Sequence, residues 1–224
     1  MIRAVIFDMD GLLVDSESYR ERARAKYCRA LDCDWRPEDE LTVKGANSPE
    51  WAARMVKRCG FSIPPAEIIM GVSQHMRDLY REHLPLLPGA VETVYRLAAR
   101  YPLAIASSSP PELIEHAIVE AGIRGCFQTV ISADRTGRGK PSPDVFLAAA
   151  RQLSFPPAEI AVFEDSSAGL MAGRAAGMYV IAVPNAHYPP SEATLAQADA
   201  VLSSLEEFRL DLLTDPPSRP TPAH

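Results

Sequence analysis

Short apolar segments alternate with longer amphipathic ones along most of this chain. Five segments of four to six residues are apolar on both faces, as expected for parallel strands that helices cover on both sides. They span residues 2–7, 103–106, 129–132, 160–163 and 179–183. Segments with helical periodicity separate them, at residues 90–100, 111–121, 143–153 and 168–176. The alternation predicts an α/β fold built on a doubly wound parallel sheet.

One long stretch, from about residue 16 to residue 87, interrupts this alternation. It contains no convincing strand pattern, only amphipathic helical segments with breakers at Pro37, Gly45, Gly60, Pro64 and Pro65. Gly60 is typical of a helix end, and Pro65 of a helix start. A connection between parallel strands needs far fewer residues. We therefore favour a separate helical insert over a helical excursion within one domain.

The predicted organisation is an α/β core with a helical-bundle cap inserted just after its first strand. The core covers residues 1–16 and 87–213, and the cap covers residues 17–86. Residues 214–224 include four prolines and few apolar side chains, which predicts a disordered tail. An insert that leaves the sheet at this point lies over the carboxyl end of the first strand.

Composition excludes several classes of protein. The net charge of −6 over 224 residues argues against a nucleic-acid partner, and no apolar run approaches the ~20 residues of a membrane helix. Met1 leads directly into a strand without the layout of a signal peptide. We therefore predict a cytoplasmic protein with no membrane partner, monomeric by default. The four cysteines follow no zinc-binding spacing, so we expect them to be reduced structural thiols.

Two aspartates follow the first predicted strand, in the run Phe7-Asp8-Met9-Asp10-Gly11. Side chains two residues apart on extended backbone point the same way. Asp8 and Asp10 would therefore converge at the carboxyl edge of the sheet, where open α/β sheets bind ligands. Like charges this close are costly unless a metal or a shared proton relieves them. The pair predicts a divalent cation, and a nucleophile beside an acid.

A run of three serines and a loop lysine follow later predicted strands. The run Ser107-Ser108-Ser109 offers hydroxyls and amides to an anion, although it is also an ordinary helix-capping sequence. Lys140 lies on a loop whose backbone Gly139 and Pro141 restrict. It is either a solvated lysine or an ammonium that offsets the charge of carboxylates and a phosphate.

Glu164 and Asp165 close the fourth predicted strand and repeat the acidic pattern of the first. Either Asp165 or Ser166 simply caps the following helix, or the two acids supply oxygen ligands to a hard cation. Together with Asp8 and Asp10, they would place four carboxylates and Lys140 at one edge of the sheet. Magnesium suits such a set, because it keeps waters and a substrate phosphate in its remaining positions.

These residues, in this order, resemble the motifs of the haloacid dehalogenase superfamily over nearly the whole chain. The four matching motifs are Phe7-Asp8-Met9-Asp10-Gly11, Ser107, Gly139-Lys140-Pro141 and Glu164-Asp165-Ser166. Within the superfamily the chain is similar to the β-phosphoglucomutase-like group, especially its pseudouridine-5′-phosphatase-like and sugar phosphatases. The similarity to this group rests on four segments, which are Asp8-Met9-Asp10-Gly11-Leu12-Leu13, Lys44-Gly45, Val162-Phe163-Glu164-Asp165 and Val201-Leu202-Ser203-Ser204-Leu205.

The resemblance implies a Mg²⁺-dependent phosphatase that hydrolyses a small phosphorylated metabolite through an aspartyl-phosphate. It implies that Asp8 is the nucleophile and that Asp10 moves the proton. Ser107 and Lys140 would complete the catalytic set. The implied metal ligands are Asp8, Asp10 through its carbonyl oxygen, Glu164 and Asp165. Gly11, Ser107, Ser108 and Lys140 would bind the phosphoryl group.

The resemblance leaves the substrate and two alternatives open. A β-phosphoglucomutase-like sugar phosphomutase carries a histidine where Arg20 stands and an arginine where Ser48 falls, so we favour hydrolysis. The other alternative is a catalytically silent metal-binding scaffold that acts through partners. Asp10 argues against dehalogenation, and no cap lysine has a context typical of phosphonate hydrolysis. Arg20, Lys44, Asn47 and Arg54 are the cap residues that we expect near the substrate, which is a sugar, polyol or nucleoside phosphate.

Overall fold

The computed structural model describes residues 1–43, 46–185 and 189–214, and within them an α/β fold. The strands are β1 (Ala4–Phe7), β2 (Leu103–Ser107), β3 (Phe127–Ser132), β4 (Ile160–Glu164), β5 (Tyr179–Ala182) and β6 (Ala200–Val201). The helices are α1 (Glu17–Ala30), α2 (Pro37–Val43), α3 (Ser48–Cys59), α4 (Pro65–Glu82), α5 (Ala90–Ala98), α6 (Pro111–Glu120), α7 (Asp144–Leu153), α8 (Ser167–Ala175), α9 (Glu192–Leu195) and α10 (Asp211–Thr214). The strands form one parallel sheet in the order β3-β2-β1-β4-β5-β6. The predicted fold class is confirmed.

Helices cover both faces of the sheet, as the apolar strands predict. On one face, Phe7 and Ile105 pack in the same core cluster as Val94 of α5 and Ile114 of α6. On the other face, Ile6 and its neighbours pack against α7 and α8. The strand order places β1 in the middle of the sheet, between β2 and β4. The carboxyl ends of these three strands therefore lie side by side.

Strand β6 was not predicted. It contains only Ala200 and Val201, which pair with Ile181 and Ala182 at the edge of the sheet. Two residues are too few for a hydrophobic pattern to reveal a strand.

Helices α1 to α4 occupy the stretch that interrupts the strand pattern. Four of the five predicted breakers lie at helix ends: α2 begins at Pro37, Gly60 caps the end of α3 in a left-handed conformation (φ 67°), and Pro64 and Pro65 cap and begin α4. Gly45 lies outside the described residues. The division at residues 16/17 and 86/87 remains our proposal for the cap boundaries. Thr214, which we placed in the tail, ends α10, and residues 215–224 lie outside the described residues. Among the described helices, none has the combined length and apolar character needed to cross a bilayer.

The expectation of four reduced thiols is wrong for two of them. Cys33 and Cys59 form a disulfide, whereas Cys28 and Cys126 are free. The two bonded residues are 26 positions apart in sequence, yet their Cα atoms lie 5.7 Å apart, within the range that a disulfide spans. The pairing depends on the packing of the end of α1 near the end of α3, which no local sequence spacing reveals.

Candidate active site

Asp8 lies directly after β1, and its backbone continues the sheet. Its amide donates a hydrogen bond to the carbonyl of Phe163 in β4, at 3.0 Å. This bond fixes Asp8 beside the end of β4, where Glu164 and Asp165 follow. The Asp8 side chain is buried. The predicted meeting of carboxylates from two strands therefore occurs in the fold.

Lys140 joins the two acidic strand ends. Its Nζ donates to Asp8 Oδ1 at 2.7 Å and to Glu164 Oε1 at 2.5 Å, and its side chain is only 6% exposed. Nζ also lies 4.8 Å from the centre of the Phe146 ring. Burial alone would lower the pKa of Lys140, but the Asp8 and Glu164 carboxylates raise it overall. The alternative of a solvated loop lysine is therefore wrong, and Lys140 is a buried cation.

Three carboxylates form a cluster that suits a hard divalent cation. Oxygens of Asp8, Glu164 and Asp165 all lie within 4.8 Å of one another, and all three residues are buried. Burial raises the pKa of Asp8 to about 7, with Glu164 and Asp10 adding to the rise and Lys140 opposing it. Burial, then Glu164 and Asp8, also raise the pKa of Asp165 well above its usual range. Lys140 alone leaves excess negative charge, which a bound cation would balance.

Two glycines make room for these carboxylates, and the sequence interpretation used only one of them. Gly11 has a φ of +82°, and a Cβ on it would lie 2.2 Å from Asp165 Oδ2. A Cβ on Gly169 would lie 1.8 Å from Glu164 Oε1. Gly169 is in α8, whose N-cap Ser166 donates to Glu164 Oε2 through both its amide and its hydroxyl. The start of α8 therefore holds Glu164 in place. Ser166 caps the helix, as one of the two alternatives predicted, and metal binding by Glu164 and Asp165 stays a prediction.

The Asp10 side chain binds a different set of groups. Its Oδ2 accepts hydrogen bonds from the Ser107 hydroxyl at 2.9 Å and the Ser109 hydroxyl at 2.8 Å, and its Oδ1 lies 2.5 Å from Arg20 Nη2. The same nitrogen of Arg20 donates to Ser109 Oγ at 2.7 Å. Ser109 was not predicted as a site residue, although the run of three serines pointed to its position. The structure thus separates the two aspartates: Asp8 faces the acidic cluster, and Asp10 faces α1 and the serines.

This environment favours the ionised form of Asp10. Burial acts to raise its pKa, but the Arg20 guanidinium, together with hydrogen bonds from Ser109 and Ser16, holds it below its usual value. Asp8 and Asp10, two residues apart, therefore have pKa values shifted in opposite directions.

A cavity of about 340 Å³ lies between the sheet edge and the cap helices. Among the predicted site residues it is lined by Asp8, Asp10, Gly11, Arg20, Ser108, Lys140 and Asp165. Ser107 is fully buried and lies behind it, hydrogen-bonded to Asp10. The cap contributes Glu17, Arg24, Val43, Ala46 and Trp51, none of which was predicted. Their positions depend on helix packing, and no local motif marks them.

The other predicted cap residues have separate surroundings. Lys44 lies outside the described residues. Asn47 caps α3 by accepting a hydrogen bond from the Glu50 amide at 3.0 Å. Arg54 donates to the carbonyl oxygen of Thr42. Asn47 and Arg54 do not line the cavity in this structure, so their contact with substrate stays a prediction.

The fold agrees with comparisons to known proteins. Residues 2–177 match the haloacid dehalogenase-like hydrolase family. The chain is 34% identical to hexitol phosphatase B of Escherichia coli, over 92% of this chain and 94% of that protein. It is 33% identical to the bifunctional riboflavin kinase/FMN phosphatase of Arabidopsis thaliana, over 95% of this chain but only 56% of the plant protein's length.

A solved structure extends this agreement to the three-dimensional level. The crystal structure of CbbY from Rhodobacter sphaeroides in complex with phosphate superposes with a TM-score of 0.83 at 30% identity, covering 92% of this chain and 96% of that one. The chain belongs to the haloacid dehalogenase-like hydrolase family.

Proposed function

We propose that this protein is a Mg²⁺-dependent phosphatase that hydrolyses a small phosphorylated metabolite through an aspartyl-phosphate on Asp8. The enzyme class, a phosphoric monoester hydrolase, agrees with the family and with the phosphatases among its relatives. The observation that carries the proposal is the position of Asp8. Its carboxylate lines the cavity, contacts the ammonium of Lys140 and belongs to a buried acidic cluster.

Asp8 is the group placed to attack phosphorus. A carboxylate nucleophile divides one hard displacement into two easier ones, through a covalent intermediate. Lys140 holds Asp8 Oδ1 at 2.7 Å, which leaves the second oxygen, Oδ2, for the attack. The buried ammonium also offsets the negative charge that the phosphoryl group brings into the site.

The residues that would hold magnesium are Asp8 and Asp165, with Glu164 behind them and the carbonyl of Asp10 as a further oxygen donor. When bound, the cation supplies charge neutralisation and in-line orientation of the phosphoryl group. Glu164 is fully buried and already hydrogen-bonded to Lys140 and Ser166, so we assign it a supporting role. Gly11 matters to this site because a side chain there would occupy the space of the Asp165 carboxylate.

Asp10 is the group that moves the proton. In its present contacts it is a carboxylate, the form that accepts a proton from water as the aspartyl-phosphate is hydrolysed. To protonate the leaving alkoxide in the first step, Asp10 must first gain a proton. Protonation removes the charge that pairs with Arg20, so this step requires a weaker Asp10–Arg20 contact. Arg20 thus tunes the proton-transfer group, which differs from our prediction that it binds substrate.

The cap end of the cavity favours an uncharged, hydroxylated group beyond the phosphate. Arg24 is paired with Glu40, and Arg20 with Asp10, so both lining arginines have carboxylate partners. Glu17 adds a carboxylate and Trp51 an apolar surface. These features suit a sugar or polyol monophosphate, the chemical class named in hexitol phosphatase B.

A phosphate-release screen tests the proposal. The purified protein is assayed against sugar, polyol and nucleoside monophosphates with Mg²⁺ and with a chelator. We expect release from at least one of them that requires Mg²⁺ and falls by about 10³-fold or more in the Asp8→Asn variant. Hydrolysis that survives this change would contradict the assigned nucleophile.

The same assay separates the alternatives. A sugar phosphomutase would convert one sugar phosphate into its isomer faster than it releases phosphate, and would need a bisphosphate activator. A silent scaffold would release no phosphate from any substrate while still binding Mg²⁺. Either result would replace the phosphatase proposal.

A further inference from the structure

Three of the four cysteines lie together in the helical cap, and the mechanism proposed above does not use them. Cys28 is on α1, Cys33 follows this helix, and Cys59 is the last residue of α3. Their sulfur atoms all lie within 4.8 Å of one another. None of the three lines the reaction cavity in the described part of the chain.

The backbone positions this cluster. Asp32, in the turn after α1, has a φ of 55°, a left-handed conformation that reverses the chain. The reversal lets the amide of Cys33 donate to the carbonyl of Cys28 at 2.9 Å. Cys59, the last residue of α3, completes the cluster. The three thiol positions are therefore held by two helices and one tight turn.

One of the three sulfur–sulfur distances matches that between two thiolates on a bound cation. Two thiolates on one tetrahedral zinc, each about 2.3 Å from the metal, lie about 3.8 Å apart. Cys28 Sγ and Cys59 Sγ are 3.9 Å apart already. Cys33 is bonded to Cys59, so its sulfur becomes a third ligand only after that disulfide is reduced.

Cys28 is fully buried and takes no part in the disulfide. A thiophilic cation displaces the proton of a thiol as it binds, so a free thiol beside the bonded pair can serve as a metal ligand.

A surface groove gives the cluster access to solvent. The groove has a volume of about 250 Å³ and reaches Cys33. Its other lining residues are Ala25, Arg29, Asp32, Asp34 and Trp35. The groove therefore brings solvent as far as Cys33, at a place separate from the catalytic cavity.

We propose that the reduced chain binds one thiophilic divalent cation, Zn²⁺ in chemical class, through the Sγ atoms of Cys28, Cys33 and Cys59. A dithiol reductant first gives two electrons and two protons to the Cys33–Cys59 disulfide, and is itself oxidised to a disulfide. The cation then forms three metal–sulfur bonds and releases three thiol protons to solvent. Water occupies the fourth position. The cap is thus tied between α1 and α3 by a disulfide when oxidised and by a metal when reduced.

Cadmium is the probe, because cadmium–thiolate bonds have an ultraviolet charge-transfer absorption. The full-length protein is reduced with a dithiol, freed of reductant and metal under anaerobic conditions, and titrated with Cd²⁺. Excess Mg²⁺ keeps Cd²⁺ from the acidic cluster. We expect saturation at one Cd²⁺ per chain, with an absorption equal to three cadmium–sulfur bonds. The oxidised protein should give no saturable absorption, because two of the three ligands are bonded to each other.

Variants identify the ligands. Cys126→Ala, which changes the remaining cysteine in the core, should leave the titration unchanged. Cys28→Ala should remove one cadmium–sulfur bond and weaken binding by at least about tenfold. Cys28 is fully buried, so Cys33→Ser, at a partly exposed position, provides a second variant, and circular dichroism checks the fold of each. Reduced wild-type protein without saturable binding, or equal binding by wild type, Cys28→Ala and Cys33→Ser, would overturn the proposal.

Discussion

At the scale of single residues, two aspartates of the same motif have opposite electrostatic environments. Asp8 faces Glu164 and Asp165 in a buried cluster, so its negative charge is costly and its pKa rises to about 7. Asp10 faces Arg20 and two serine hydroxyls, which lower its pKa. A pair of acids whose environments push their pKa values apart is a common arrangement for dividing catalytic roles. This difference leads to two predictions.

In the metal-free protein, the stability of the Asp8→Asn variant relative to wild type should increase as pH rises. The pKa of Asp8 is about 7 in the folded chain, against an ordinary 3.8, so between these values the folded state binds more protons than the unfolded state. Ionisation of Asp8 therefore lowers wild-type stability as pH rises towards about 7. We expect the asparagine variant to gain relative stability over this window, by at most about 1.4 kcal/mol per pH unit.

Urea denaturation in the presence of a chelator, at about pH 5 and about pH 8, measures the difference in free energy of unfolding between wild type and Asp8→Asn. Asp211→Asn, at an exposed position away from the cluster, controls for the loss of a negative charge. If the difference in free energy of unfolding between the two proteins were the same at both pH values, the prediction would be contradicted.

Arg20→Gln should move the pH–rate profile. Loss of the guanidinium removes the main group that lowers the pKa of Asp10, so that pKa rises. The acid form of Asp10 then persists to higher pH, and the optimum for phosphate release shifts upward. Arg20→Lys retains a positive charge and should give a smaller shift. Profiles of kcat/KM for the three proteins provide the measurement, and a profile that Arg20→Gln leaves unmoved would exclude this role of Arg20.

At the scale of elements, close contact between helix α8 and strand β4 builds the acidic side of the site. Gly169 allows the first turn of α8 to lie against the Glu164 carboxylate, and Ser166 donates to that carboxylate. A helix N-terminus also favours a nearby negative charge. The position of Glu164 therefore depends on a glycine that makes no hydrogen bond with it.

Gly169→Ala should damage the site through this contact. The new methyl group would lie 1.8 Å from Glu164 Oε1, so the helix or the carboxylate must move. We expect a loss of about 1–3 kcal/mol in the free energy of unfolding and a reduced affinity for Mg²⁺. Gly125→Ala is the matched control, because a Cβ there meets nothing within 4 Å. Denaturation and magnesium titration measure both quantities. If Gly169→Ala and Gly125→Ala had the same free energy of unfolding and the same affinity for Mg²⁺, the contact would be unimportant.

At the scale of the whole molecule, the cap helices close the site that the sheet edge begins. Arg20 of α1 contacts Asp10, and the amide of Ser48 in α3 donates to Asp134 of the core at 3.2 Å. Glu17, Arg24 and Trp51 complete the cavity. Binding at the acidic cluster therefore acts on a structure in which cap and core are already in contact.

Magnesium should raise the thermal stability of the whole chain. A ligand that binds only the folded state adds about 2.7 kcal/mol when its concentration is 100 times its Kd. We expect Tm to rise with Mg²⁺ and fall back when a chelator removes it. Asp165→Asn should lose most of this response, whereas Asp78→Asn, whose side chain is exposed on cap helix α4, should retain it. Equal Mg²⁺ responses in wild type and Asp165→Asn would contradict the assigned ligands.

The sequence by itself determined the class of fold and the acidic edge of the site. Apolar periodicity is local, so the five longer strands and helices α5 to α8 were predicted within a few residues. The four-residue helices α9 and α10 were not predicted, because they are too short to show a helical period. The carboxyl ends of parallel strands must share an edge, so the meeting of Asp8, Glu164 and Asp165 also followed. Gly60 and Pro65 marked helix boundaries for equally local reasons.

The tertiary structure alone decided which partners these groups have. Arg20 pairs with Asp10, Lys140 is buried between two carboxylates, and Cys33 bonds to Cys59 because segments far apart in sequence lie together in the fold. The cavity residues of the cap have the same origin. Such contacts depend on distances between elements, which a pattern of neighbouring residues does not contain. Local sequence thus determines which chemical groups the site contains, and tertiary packing determines their contacts and their pKa shifts.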